Sequence, residues 1–302
     1  MALETFTPKT DTNLFGEEIK REVLLRDKFI EPPFTILDSK SGNWQSRKSK
    51  WRELGIKSEI GRNAGGSNSF NDRLNKTVIA ESTRKMAEVS KEPSIFDAAL
   101  TELMYAWFCP ESGHILDPFA GGSVRGIVAN YLGYKYTGIE LRAEQVDSNR
   151  EQSDTIIPAN APTWICGDSD TELDKLEGEF DFVFSCPPYA DLEVYSDLPD
   201  DLSNMDYKDF VPKYRSIIKK TLAHLKVGGY AVFVVGEVRD KDGYYIDFVG
   251  DTKRAFMDCG AKLYNDMVYL QAIGSASIYA ANMFKNRKIA KIHQNVLCFK
   301  KV

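Results

Sequence analysis

From Glu92 to the C-terminus, short runs of β-branched and aromatic residues alternate with stretches of helical period. "PSIFDAALTELMYAWF" carries apolar residues at helical spacing, with Ser94 in position to cap it. "HILDPF" reads as a short strand ending in a turn, and "GSVRGIVANYLG" as a helix ending near Gly133. "YKYTGIE" is a strand, "AEQVDSNREQ" a helix, "PTWICGDS" a third strand and "FDFVFS" a fourth. "MDYKDFVPKYRSIIKKTLAHLKVGG" predicts a helix stopped by Gly-Gly, followed by the strand "YAVFVVGEV" and a helix across "FVGDTKRAFMDCG". "MVYLQAI" and "HQNVLCFKK" close the chain as strands, with an antiparallel strand at the C-terminus. Strands alternating with helices predict an α/β fold: a doubly wound, Rossmann-like sheet, mostly parallel. Ligands of such sheets bind beyond the carboxyl ends of the strands, where strand order reverses.

Those strand ends carry the chemistry. The first runs "LDPFAGGSVRG", placing Asp117 before Gly121 and Gly122 and then a helix. Glycines there let the backbone approach a ligand closely. The pattern is neither G-x-G-x-x-G nor a P-loop, since no Gly-Lys-Ser/Thr follows. The second strand ends at Glu140, about 20 positions past the glycine turn, where an acid accepts hydrogen bonds from ribose hydroxyls. The third ends in "CGDS", which sets Asp168 to accept from an adenine amino group. Singly, each acid could be a helix cap; together they describe a site for an adenosine-containing cofactor with few or no phosphates. The fourth strand stops at "CPPY", residues 186–189. Proline has no backbone N–H and cannot continue a sheet interior. The stiff turn therefore presents a reacting group to the same cleft at low entropic cost.

The chain has 302 residues, 43% of them hydrophobic, which suits one large domain or a domain with an appendage. No apolar run approaches the ~20 residues of a membrane span, and "MALETFTPKT" lacks a secretory pattern. A cytoplasmic protein with no membrane partner is expected. The five cysteines (Cys109, Cys166, Cys186, Cys259 and Cys298) and three histidines are scattered, which argues against disulfides and against a metal site. Between Lys40 and Lys85, 11 Lys/Arg face 4 Asp/Glu; with a net charge of −5 overall, the remainder carries −12. Such a basic segment in an acidic chain suits a polyanion partner, or else a solvated basic face. Trp44 and Trp51 bracket Arg47, Lys48 and Lys50. That interleaving can grip nucleic acid by phosphate contact and stacking, while tryptophans in such a pattern are more often core. Residues 1–90 are read as an N-terminal basic region serving as a DNA-contacting appendage, and 91–302 as the catalytic domain. "KNRKIAKIHQN" adds Arg287 and Lys288 as phosphate contacts or a solvated hairpin tip.

"DPFAGG" followed by "CPPY" resembles the S-adenosylmethionine-dependent amino-methyltransferases, which methylate exocyclic nitrogens of adenine or cytosine in DNA. "KEPSIFDAALTELMYAWFCPESGHILDPFAGG" is similar to their methionine-side segment running into the cofactor loop, and the resemblance covers roughly 91–302. The opening "PPFTILDSKSGNWQSRKSKWRELGIKSEIGR" resembles the leading region of phage and prophage methylases, so a phage-encoded chain would work in the host cytoplasm. The resemblance implies that Asp117, Phe119 and Gly121 line the cofactor, Glu140 holds its ribose and Asp168 its adenine. Pro93 and Phe96 would sit at its methionine end. It further implies that Tyr189 stacks on an extruded base, and that the carbonyl of Pro187, in the Cys186-Pro187-Pro188-Tyr189 motif, accepts from the target amino group.

Cys186 departs from the Asp, Asn or Ser of the family's first motif position, and sulfur is a weak acceptor. It is either a small Ser-shaped substitute or a thiolate nucleophile toward a pyrimidine ring, which a nearby base would have to activate. Ser185 is adjacent but points to the opposite face of its strand. Asp191, Glu193 and Tyr195 line the base pocket or cap a helix. The resulting expectation is methyl transfer from S-adenosylmethionine to DNA, at adenine N6 ahead of cytosine N4. RNA base methylation and a catalytically inactive nucleic-acid-binding protein of the same fold are the alternatives. Oligomeric state is not specified by the sequence.

Overall fold

The alternation of elements is realised as an eight-stranded, mostly parallel sheet whose strands are connected largely by helices. The computed structural model describes residues 11–12, 18–19, 25–57, 95–189, 196, 198, 200–240, 242–271 and 276–302. By internal contacts the chain divides into Met1–Phe34 and Thr35–Val302. The first unit contains a short antiparallel pair, β1 (Asp11–Thr12) with β2 (Glu18–Ile19), and helix α1 (Leu25–Phe29).

The second unit holds the remaining elements. In chain order they are β3 (Ile36–Asp38), α2 (Gly42–Glu53), α3 (Ala98–Phe108), β4 (His114–Asp117), α4 (Val124–Tyr131), β5 (Lys135–Glu140), α5 (Ala143–Ile156) and β6 (Thr163–Cys166). There follow α6 (Ser169–Glu172), β7 (Phe180–Ser185), α7 (Tyr207–His224), β8 (Leu225–Val235), α8 (Phe248–Asp258), β9 (Lys262–Leu270), α9 (Ala276–Lys285) and β10 (His293–Lys300). The eight-stranded sheet is ordered β3-β9-β10-β8-β7-β4-β5-β6. β10 runs antiparallel to both its neighbours, and the other described pairings in this sheet are parallel. The chain moves outward from β4 through β5 to β6, then returns to the other side of β4 with β7. That reversal opens a crevice at the carboxyl ends of β4 and β7, where the sequence motifs fall.

Two expectations shift in detail. Ser94 lies outside the described residues; α3 is capped by Asp97, whose Oδ1 accepts from the backbone N–H of Ala99 at 3.0 Å and of Leu100 at 3.1 Å. The Gly-Gly expected to stop the long helix sits inside β8 instead. The helix ends at His224, Leu225 is already extended, and Gly228 takes φ +84° where the β7–β8 register shifts. Glycine there serves an irregularity in the strand, which a left-handed backbone requires. The expected domain boundary at residue 90 lies outside the described residues. Within that region, residues 36–57 supply β3 to the eight-stranded sheet and α2, which packs on α3.

The core is strongly aromatic. Phe182 and Phe184 of β7 are fully buried and stack edgewise on Tyr105 of α3, while Phe210, Tyr214, Phe233, Phe248 and Phe256 pack around α7 and α8. Phe256 and Phe299 stack with centroids 4.0 Å apart. In β5 the ring of Tyr136 lies across Gly138; a Cβ there would stand 2.6 Å from Tyr136 Cε1 and 2.9 Å from Ala120 Cβ. Gly138→Ala is therefore expected to destabilise the protein by about 1–3 kcal/mol, measured as a lower urea midpoint with unchanged slope.

Candidate functional site

Asp117 ends β4 and is fully buried. Its Oδ1 accepts from Ser185 Oγ at 2.5 Å and from the Phe119 N–H at 3.1 Å. Its Oδ2 accepts from Arg125 Nε at 2.5 Å and from the Tyr136 hydroxyl at 2.8 Å. Four donors fill the roughly four acceptor positions of a carboxylate. Asp117 was expected to line the cofactor; it sits beneath the pocket instead, because its acceptors are already used inside the fold. Ser185 likewise faces this hub and not the cleft. Burial alone would depress the Arg125 guanidinium, but Asp117, with Tyr136 and Cys186 nearby, outweighs burial and holds it above its usual range. Burial and the Asp117 charge push Tyr136 well above its ordinary value, so its hydroxyl stays a donor.

Arg125 then shapes the loop that follows β4. Its Nη2 donates to the carbonyls of Phe119 at 2.6 Å and Ala120 at 2.9 Å, and its guanidinium lies 4.6 Å over the Phe96 ring. Gly121 adopts φ +51°, and its N–H donates to Glu140 Oε2 at 3.0 Å. The other oxygen of Glu140 accepts from the Arg142 N–H at 3.1 Å and from Arg142 Nε at 3.2 Å. Glu140 thus fastens the glycine turn to the end of β5 while lining the cavity. Asp168 both caps and lines: Oδ1 accepts from the Asp170 N–H at 3.1 Å at the start of α6, and Oδ2 pairs with Lys213 at 2.9 Å.

These groups open into one cavity of about 480 Å³, which also contains Cys186, Pro187, Pro188 and Tyr189. That volume falls within the ~300–1,000 Å³ of small-molecule sites. Phe96, Phe119, Gly121, Glu140 and Asp168 all line it, so these five cofactor candidates and the Pro-Pro-Tyr turn share one cavity. Tyr189 is held at both ends: its ring meets Phe248 edge-on at 5.9 Å, and its hydroxyl accepts from Gln294 Nε2 at 2.9 Å. Pro93, Asp191, Glu193 and Tyr195 lie outside the described residues. Among the described residues no group of three or more His, Cys, Asp or Glu could hold a metal ion, and no helix is long and apolar enough to cross a membrane.

In the basic–aromatic stretch the tryptophans take the core alternative. Trp44, Arg47, Lys48 and Trp51 fall at helical spacing on one face of α2. Both tryptophans are buried, donating through Nε1 to Asp97 at 3.2 Å and Glu102 at 2.8 Å. Arg47 pairs with Glu102 at 2.6 Å and Lys48 with Asp97 at 2.8 Å. The stripe joins α2 to α3, so these two cations are engaged with carboxylates of their own fold, while Lys50 is exposed. Arg287 is exposed near the tip between α9 and β10, with its guanidinium 5.4 Å over the Phe284 ring, and Lys288 is partly buried. Asp97, Lys48, Gln294 and Ser39 also line the cavity and were not among the expected site residues, apart from Lys48 in another role. Ser39, Lys48 and Gln294 reach the site from elements far from the glycine loop in sequence, and no local motif marks them.

No protein-family model matches the chain, and no curated protein matches it. Similar solved structures include TrmN from Thermus thermophilus, with a TM-score of 0.49 and 14% identity over 75% of this chain. The match spans 55% of that TrmN chain. Magnesium protoporphyrin IX methyltransferase (ChlM) from Synechocystis PCC 6803, solved with bound SAM, gives a TM-score of 0.44 and 10% identity over 80% of this chain and 100% of its own. Precorrin-6y C5,15-methyltransferase from Geobacter metallireducens GS-15 gives 0.44 and 14% over 75% and 95%.

Removing one partner of the buried Asp117–Arg125 pair leaves an uncompensated charge. Asp117→Asn should cost about 3–5 kcal/mol in denaturant unfolding. At Asp97, burial opposes ionisation, but Lys48 and hydrogen bonds from Lys48, Tyr269 and the Leu100 N–H outweigh it and hold the carboxyl below its usual 3.8. The stability it contributes is full above that value and is lost as pH falls through the lowered one. Trp44 fluorescence should therefore report loosening of α2 only in strong acid, and Asp97→Asn should abolish that acid transition.

Proposed function

We propose that the chain is an S-adenosylmethionine-dependent methyltransferase acting on an exocyclic amino group of a base in DNA, adenine N6 ahead of cytosine N4. The observation that carries this reading is the single cavity in which the glycine turn, Glu140 and Asp168 meet Cys186-Pro187-Pro188-Tyr189. The residues fit the cofactor: a glycine turn with φ +51° at Gly121 admits close approach, and the acids at the end of β5 and beyond β6 would accept from ribose hydroxyls and an adenine amino group.

The cofactor's sulfonium supplies an electrophilic methyl group. The chain supplies position and hydrogen-bond acceptors. The Pro187 carbonyl, on a backbone stiffened by two prolines, accepts one hydrogen of the target amino group and helps localise the nitrogen lone pair. Cys186 is the weaker acceptor of the second, so this site leans on Pro187 and on orientation. Tyr189, clamped between Phe248 and Gln294, offers a fixed face on which an extruded base stacks.

Incubation with mixed-sequence DNA and methyl-labelled S-adenosylmethionine, followed by nucleoside mass spectrometry, tests the reading. N6-methyladenine or N4-methylcytosine is expected, retained in Cys186→Ser. Tyr189→Ala should lower kcat/KM by about 10- to 100-fold, the worth of one base–aromatic stack. A C5-modified pyrimidine lost in Cys186→Ser would make the thiol a nucleophile, and transfer to RNA alone would replace DNA as the substrate.

A further inference from the structure

We infer that Lys48, on helix α2 outside the alternating β/α core, is a cofactor-binding residue that holds the α-carboxylate of S-adenosylmethionine; this rests on the cofactor reading above. Lys48 lines the same cavity as Glu140 and Asp168, and its side chain is 22% exposed, so the ammonium is partly withdrawn from water yet open to the pocket. It stands beside Phe96 and Asp97, at the end of α3 that faces the loop after β4.

Asp97 does not compete for the ligand's amine. Its Oδ1 accepts from Trp44 Nε1 and the N–H groups of Ala99 and Leu100, and its Oδ2 from Lys48 and from the Tyr269 hydroxyl at 2.7 Å. Five donors saturate that carboxylate, and it acts as the fixed orienter of the ammonium. An ammonium carries three N–H donors, and the bond to Asp97 uses one. A second carboxylate is the ligand group that an ammonium held in this way recognises. Glu140 and Asp168, by contrast, lie on the β5–β6 side of β4, whereas Tyr269 ties Asp97 to β9 on the other side. Lys48 is therefore separated from the adenosine acids across the pocket, as the two ends of the cofactor require.

Calorimetric titration with S-adenosylmethionine and with its decarboxylated analogue, which lacks only that carboxylate, separates this role from a structural one. Lys48→Met should weaken S-adenosylmethionine by about 10- to 100-fold, the worth of a charged hydrogen bond, and change the analogue by less than about two-fold. Lys48→Arg should restore most of the loss. Unchanged S-adenosylmethionine affinity in Lys48→Met, or an equal loss for both ligands, would overturn the inference while leaving the cofactor reading intact. Wild-type protein that binds neither ligand would overturn both.

Discussion

The buried pair of Asp117 and Arg125 is the constraint around which the crevice is built. Asp117 draws Ser185 from β7, Tyr136 from β5 and Arg125 from α4 onto one carboxylate, so three neighbouring elements are pinned at the strand-order reversal. Arg125 also donates, through Nη2, to the carbonyls of Phe119 and Ala120, which sets the path of the loop before Gly121 turns. A buried ion pair contributes little net stability over apolar packing, but losing one partner is costly. Its value here is geometric: it fixes where the loop backbone stands relative to Glu140 and to the Pro-Pro-Tyr turn.

A second polar seam couples the N-terminal segment to that crevice. α2 docks on α3 through two tryptophan N–H groups and two cations, all directed at Asp97 and Glu102. Asp97 is at once the cap of α3, the acceptor for Tyr269 of β9 and the partner of Lys48. Residues 36–57 thereby become a wall of the site. An element that looks like an appendage in the sequence is tied to the rest of the fold through two carboxylates, of which Asp97 also lines the cavity.

Much of this was legible in the sequence because it is local. Alternating periods specify strands and helices, and an acid or a glycine at a strand end falls at the crevice whatever the loops do. Glu140, Asp168, Gly121 and Tyr189 all reach the cavity for that reason. What was not legible depends on partners far away in the chain. Asp117 looks like a ligand-lining acid until Ser185, 68 residues on, is seen to use one of its oxygens. Trp44 and Lys48 fit nucleic-acid contact equally well until Asp97 is found across from them, 53 and 49 residues away. Gly228–Gly229 reads as a helix stop because the shifted pairing with β7 that requires it is a tertiary fact.

The central claim is that one cavity joins a cofactor site to a base site, and a crystal structure with S-adenosylhomocysteine tests it most directly. The account predicts the ribose hydroxyls within hydrogen-bonding distance of Glu140, the adenine amino group on Asp168, and the sulfur facing the Pro187 carbonyl with open space toward Tyr189. A ligand bound outside this cavity, or lying in it with the sulfur turned away from Pro187 and Tyr189, would contradict it.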